Sequence, residues 1–169
     1  MALKVLLILV LTFNLLSCSK KETAIYVPSK KNNPYILYEQ GLNAFEKNDF
    51  FYASEKFSEA EINFEKPELA AKSSIMASFS LYGINFYRDA IDNLERYLKT
   101  YPADKNNIYA HYLMAVIYYE QISDEKKDLK PLIRADEKID FFLKKYPDSD
   151  YSIDLKFKKD LIQNQLAAK

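Results

Sequence analysis

The sequence predicts an all-α protein, a helical solenoid of about three helix pairs plus a C-terminal helix, and three observations carry that prediction. A spacing of small, apolar, aromatic and proline residues recurs along the chain. The 169 residues include only 2 Gly but 14 Tyr and 11 Phe, which suits aromatic-packed helices better than a β-protein. Tyr-Pro pairs close two copies of the recurring pattern and act as helix stops.

The clearest copy lies at 87–102, YRDAIDNLERYLKTYP, where Leu94, Tyr97 and Pro102 follow Ala90 at +4, +7 and +12. Ile139, Phe142 and Pro147 follow Ala135 at the same offsets, and upstream Phe57 and Ala60 follow Ala53 at +4 and +7. Offsets of 0, +4 and +7 share one helical face, with a small residue where a neighbouring helix comes close and large ones beyond it. The proline at +12 cannot continue the helix, and the tyrosine before it is pushed towards extended geometry.

A first helix precedes each such helix. Gly41 lies twelve residues before Ala53 and Leu37 four before Gly41, so Leu37, Gly41, Ala53, Phe57 and Ala60 fit the tetratricopeptide (TPR) template. The repeats run long, with 37 residues from Ala53 to Ala90 and 45 from Ala90 to Ala135, against the usual ~34. A polar insertion over 123–130, SDEKKDLK, accounts for the third copy, and a surface loop accepts such an addition at little entropic cost.

Residues 1–17 are of a different kind. Lys4, a short apolar run and Leu15-Leu16-Ser17 before Cys18 make a secretory signal peptide, and the run is short for a membrane-crossing helix. Leu15-Leu16-Ser17-Cys18 resembles the bacterial lipobox, in which the chain is cut before the cysteine and the cysteine is acylated. A buried or incidental thiol is the alternative, but the position of this 1 Cys directly after such a segment favours lipidation. Two or more acyl chains, each contributing about 0.8 kcal/mol per buried CH₂, hold a protein stably at a membrane. Ser19 lacks the acidic character of an inner-membrane retention signal, so the expected place is the outer membrane of a two-membrane bacterium. With Cys18 lipidated no disulfide forms, and stability rests on helix packing.

Residues 18–33 are polar and charged without helical periodicity, a flexible tether to a domain at 34–169. Asn33-Pro34 supplies a cap and a first-turn proline for a helix over 34–47. Asn48-Asp49 turns the chain into a second helix over 50–64. Pro67 opens a third over 67–84, where Ala70, Ala71, Ser73, Ser74, Ala77, Ser78 and Ser80 allow close packing and Gly83 weakens the end. Further helices are expected over 86–101, 107–122 and 129–146, the last with Pro131 in its first turn. A seventh over 151–167 presents Ile153, Phe157, Leu161 and Ile162 as an apolar stripe; it either caps the solenoid or starts a fourth repeat.

The catalytic inventory is thin. With 1 His and 1 Cys there is no His/Cys metal cluster and no His-assisted nucleophile, so no metal, cofactor or enzymatic activity is expected. His111 falls where the first repeat has Leu37, a packing position. Asp136-Glu137 and Asp148/Asp150 read as solvated helix faces and caps. Gly41 and Gly83 make no phosphate loop, and 24 basic against 24 acidic residues give no field for nucleic acid.

Binding is the better reading. In the TPR fold first helices line the concave surface, and the register nominates Tyr35, Tyr38, Leu42 and Phe45, then Ile75, Phe79 and Tyr82, then Tyr109, Tyr112, Val116 and Tyr119. A groove of Tyr and Phe accepts an extended peptide with aromatic side chains, the phenols bonding its backbone. The competing role for each ring is to fill space between neighbouring repeats.

The lipobox, a short tether, NPYILYEQGLNAFEKNDFFYASEKF, RDAIDNLERYLKTYPADKNNIYAHYLMAVIYYEQI and FFLKKYPDSDYSIDLKFKKDLIQNQLA together resemble the BamD (YfiO/ComL-type) lipoproteins of the outer-membrane β-barrel assembly machinery. The resemblance implies a non-enzymatic receptor or scaffold whose partners are BamA, other Bam lipoproteins and unfolded outer-membrane β-barrel proteins. In that family the N-terminal repeats are associated with recognising a C-terminal targeting signal and later repeats with docking. BamD proteins usually carry more repeats than these, and Lys169 falls where a fourth is under way. The terminal ring of a signal is expected in a pocket among Tyr38, Phe45, Phe79, Tyr82 and Tyr112. The alternatives are a periplasmic TPR scaffold lipoprotein of envelope or division complexes, and a carboxylate-dependent hydrolase, for which no residue pattern speaks.

Overall fold

The computed structural model describes residues 33–122 and 129–168, so the signal peptide, Cys18, all of the tether but Asn33, and residues 123–128 of the insertion lie outside the described residues. Among the described residues, seven helices and no strand follow one another: α1 (Pro34–Glu46), α2 (Phe50–Asn63), α3 (Pro67–Gly83), α4 (Tyr87–Thr100), α5 (Asn107–Glu120), α6 (Lys130–Lys145) and α7 (Tyr151–Ala167). These are the expected helices to within a residue or two at each end.

The boundaries have local causes. Asn33 Oδ1 accepts the Tyr35 N–H at 3.0 Å ahead of Pro34, and Asp49 Oδ1 accepts the Tyr52 N–H at 3.3 Å. Tyr101 and Tyr146, each before a proline, leave the helix with φ −122° and −135°. Asn48 and Asn85 take left-handed φ of 60° and 61° at the two turns inside the first two pairs. There Asp49 N–H donates to the Ala44 carbonyl and Asn48 N–H to Phe45, with Phe86 to Leu81 and Asn85 to Tyr82 repeating the arrangement. These are Schellman closures made with asparagine in place of glycine.

Consecutive helices pack on one another, while α3 also meets α5 and α5 meets α7. First helices of successive pairs therefore share one side, and α7 takes the first-helix position of a further pair. The repeated face is the core: Ala53, Phe57, Ala60, Ala90, Leu94, Tyr97, Ala135, Ile139 and Phe142 all show 0% exposure. A Cβ on Gly41 would fall 2.7 Å from the Phe57 ring, so glycine there is the condition for α1 to lie on α2.

Helix α3 is the hub, and its seven expected small residues are all buried. Ser73, Ser78 and Ser80 return their hydroxyls to the carbonyls of Leu69, Ser74 and Met76 at 2.8–3.0 Å, so serine is buried there without an orphaned donor. Alongside, the buried Glu61 of α2 takes a bidentate pair from Arg96 of α4 at 2.7 and 2.6 Å and a bond from the Tyr101 hydroxyl at 3.0 Å. Asn93 completes the network on Ser78 Oγ and the Ser74 carbonyl.

The expected stripe of α7 needs correction. Ile153 and Phe157 are 77% and 63% exposed, and the buried face is Ser152, Leu155 and Ile162. Two apolar arcs lie on this helix, and α5 and α6 reach only the one that Ser152 opens by bonding the Tyr146 carbonyl at 2.7 Å.

Gly41→Ala is expected to destabilise the fold by up to about 2 kcal/mol in urea unfolding, because overpacking at about 1–3 kcal/mol is offset only in part by a gain of about 1 kcal/mol in helix propensity. An unchanged midpoint would mean that the Phe57 ring moves aside freely.

Candidate functional site

A groove of about 1100 Å³ runs along the first-helix side, floored by α3 and walled by the segment between α4 and α5. Its apolar surface comes from Phe45 of α1, from Leu69, Ile75, Met76 and Phe79 of α3, and from Tyr109 of α5. Glu68, Lys72, Asp104 and Lys105 stand on it as two acids and two bases, a locally neutral set. The far wall is built by a buried phenol. Tyr97 donates to Asp104 Oδ1 at 2.6 Å, and the same oxygen accepts the Asn106 N–H at 2.9 Å, holding 101–106 against the groove. Burial, then Asp104, drives the Tyr97 phenol far above its ordinary value, so it remains a donor.

The expected groove residues separate into three groups. Phe45, Phe79, Ile75 and Tyr109 line the groove, with Phe45 and Phe79 centroids 5.7 Å apart. Tyr82 lies 6.0 Å from Phe79 and 6.2 Å from Tyr87, continuing the aromatic row towards the second repeat's turn. Tyr35 meets Phe64 edge-on at 5.2 Å, and Tyr38 packs on Phe57 at 5.2 Å with Lys72 Nζ over its ring. Leu42 is exposed and Val116 buried.

The third group belongs to the seam with α7. Tyr112 stacks on Tyr151 with centroids 4.5 Å apart and donates to Asp154 Oδ2 at 3.0 Å, while Lys158 lies over the Tyr119 ring. The expected five-ring pocket is thus not one enclosure: Phe45 and Phe79 line the groove, Tyr82 touches Phe79, Tyr38 belongs to the α1–α2 seam, and Tyr112 is engaged by α7. Burial raises the Tyr109 and Tyr112 phenols to about 12, Tyr112 also through Asp154, so both stay neutral hydroxyls. Sequence reasoning missed Leu69, Met76, Lys72 and the wall at 100–106. The wall is fixed by the bond from Tyr97 to Asp104, seven residues on, a contact that helical periodicity does not encode.

Other chemistry is sparse. Among the described residues no three His, Cys, Asp or Glu side chains are grouped to hold a metal ion. His111 is half-buried between Phe141 and Tyr146, with Lys145 Nζ 3.3 Å from Nε2. Burial, then the positive Lys145 and Lys138, lower its pKa to about 4. Asp136 is half-buried rather than solvated, and burial, then Asp140 beside it, raises its carboxyl. Asp148 and Asp150 are exposed, and Asp150 makes no side-chain cap bond.

The fold and this groove define a TPR-like helical-repeat protein with an aromatic cleft on its first-helix side. The family model YfiO, outer membrane lipoprotein, matches residues 30–169, and the chain belongs to that family. It is 29% identical over 151 residues to the outer membrane protein assembly factor BamD of Caulobacter vibrioides, covering 89% of this chain and 48% of that protein. It is 29% identical over 133 residues to the BamD of Rickettsia prowazekii, covering 79% of this chain and 53% of that one. The chain spans about half the length of these curated relatives. Among the described residues no helix is long and apolar enough to cross a membrane.

Because the fold holds His111 neutral, its contribution to stability is complete above the unfolded value near 6.5 and is lost as pH falls towards about 4. His111→Gln is expected to flatten the fall in thermal midpoint across that window relative to the parent chain. Parallel curves for the two proteins would contradict the burial argument.

Proposed function

We propose that this chain is a non-enzymatic, lipid-anchored component of an outer-membrane β-barrel assembly machinery, held through Cys18 on the periplasmic face, that binds unfolded outer-membrane proteins and/or BamA. The observation that carries the reading is the neutral, aromatic-lined groove between α3 and 101–106. Membership of the YfiO family and similarity to two assembly factors support it.

The mechanism follows from the groove's chemistry. A barrel strand is an alternating apolar segment, and one that ends in an aromatic residue offers a ring and a row of backbone amides. The ring enters between Phe79 and Tyr109, against Ile75, where burial contributes about 1.5–3 kcal/mol. The Tyr109 hydroxyl, kept neutral by burial, is suited to a backbone partner. Glu68, Lys72, Asp104 and Lys105 cancel one another, so the groove selects shape and apolarity over charge. The tether of 18–33 holds this receptor near the bilayer in which the barrel is inserted.

Phe79→Ala is expected to weaken binding of a synthetic peptide that alternates valine and threonine and ends in phenylalanine by roughly 10-fold to 100-fold, or about 1.4 kcal/mol per decade. Tyr112→Ala is expected to loosen α7 against α5 with a far smaller effect on that affinity, read by fluorescence anisotropy beside thermal unfolding. Equal affinity of Phe79→Ala and the parent chain would remove the groove as the site. Recovery of BamA when the detergent-solubilised chain is pulled from its own envelope tests the machinery role.

A further inference from the structure

Resting on the reading of the groove as a peptide site, we propose that Glu61, which does not line the groove, is a positioning residue for it: through the Tyr101 hydroxyl its carboxylate holds the wall at 101–106 at the distance from α3 that admits a strand. Glu61 is buried on α2, and its Oε1 accepts the Tyr101 hydroxyl at 3.0 Å as well as Arg96 of α4 at 2.7 Å. Arg96 in turn donates to Ser74 Oγ at 3.2 Å, on the residue before Ile75 of the groove floor. One buried carboxylate therefore ties the floor helix and the wall to the same point. Tyr101 itself lines the groove, and its hydroxyl proton is given to Glu61. Burial, then the negative Glu61, pushes this phenol up to about 12, so the donor persists at neutral pH.

Packing alone does not ask for an acid at this position. Glu61 follows Ala53 at +8, and the residues at +8 from Ala90 and Ala135 are Leu98 and Leu143, each partly buried against a core cluster. The tyrosine recurs, since Tyr146 follows Ala135 at +11 as Tyr101 follows Ala90. Its acceptor in the preceding second helix does not recur, being Glu61 for Tyr101 and Leu98 at the matching place for Tyr146. A well-packed apolar group commonly stabilises as well as a buried ion pair, whereas a buried charge that loses its partner is costly, so the pair serves to fix one arrangement. The wall has a second anchor in Tyr97 on Asp104 at 2.6 Å, and Asn107 Nδ2 closes the segment on the Pro102 carbonyl at 2.7 Å. Cutting the Tyr101 bond leaves that anchor in place, so the wall loosens without unfolding. A strand then finds the groove at its binding width for a smaller fraction of the time, and the apparent affinity falls with that fraction.

Substitutions in the full-length chain in detergent decide the proposal. Tyr101→Phe keeps the ring and the Glu61–Arg96 pair and removes only the bond to the wall. It is expected to speed amide hydrogen exchange at 103–106 and to weaken binding of the valine–threonine–phenylalanine probe, each by about threefold to tenfold. Glu61→Gln is expected to lose at least as much affinity, and the double variant no more than Glu61→Gln alone, because the two residues act in series. Phe142→Leu, a core substitution in the third pair, is expected to lower the thermal midpoint and leave the probe affinity unchanged. Unchanged exchange or unchanged affinity in Tyr101→Phe overturns the proposal while the groove's function stands. Additive losses in the double variant, or an equal loss of affinity in Phe142→Leu, overturn it in the same way. Failure of the parent chain to bind the probe removes the peptide-site reading and this proposal with it.

Discussion

The close approach of α3 to its neighbours is the contact on which the rest of the structure depends. Seven small residues are buried along it, and three of them are serines whose hydroxyls bond their own helix one turn back. Large side chains there would hold α2 and α4 apart; unsatisfied hydroxyls would each carry a desolvation cost of about 1–3 kcal/mol. Serine with a backbone partner escapes both. Because α3 can be flanked so closely, Glu61, Arg96, Asn93 and Tyr101 from the two second helices and the segment beyond meet in one network. Each deletion from that network leaves a charge or an amide without its partner, which gives the first two pairs their fixed registry.

The same close packing makes the groove. When α2 and α4 flank α3 on one side, the opposite side of α3 faces outward with Ile75, Met76 and Phe79 in a row. Tyr97 then has two functions at one position: its ring fills the core, and its hydroxyl fixes Asp104 and so the groove's second wall. At the equivalent position of the next repeat, Phe142 fills the core but has no hydroxyl with which to hold a following loop. The groove therefore belongs to the second repeat, and the third repeat spends its aromatic rings on the seam with α7, where Tyr112, Tyr151 and Asp154 meet.

All the groove's lining falls between Phe45 and Tyr109. The chain spans about half the length of its curated relatives, and these lining residues lie in one continuous stretch of it. The groove's walls come from α1, α3, the segment after α4 and the start of α5. Ile153 and Phe157, exposed on α7, lie on the far side of the seam and contribute nothing to it.

The sequence by itself determined the fold class, the seven helices and their stops, and the small residues of α3. Each of these is a local or periodic property: proline removes a donor, asparagine accepts a left-handed turn, and a spacing of 4 and 7 draws one face. The aromatic wealth of the first helices was legible as a candidate surface on the same ground. Which ring faces the cleft and which fills a seam was decided only by tertiary structure. Tyr109 and Tyr112 are three residues apart on one helix and both read as groove residues. Tyr151, some forty residues on, lies against both rings, at 4.5 Å from Tyr112 and 5.9 Å from Tyr109, but Asp154 bonds Tyr112 while Tyr109 lines the groove. The apolar arcs of α7 divide in the same way, because periodicity identifies a face but not the neighbour that covers it.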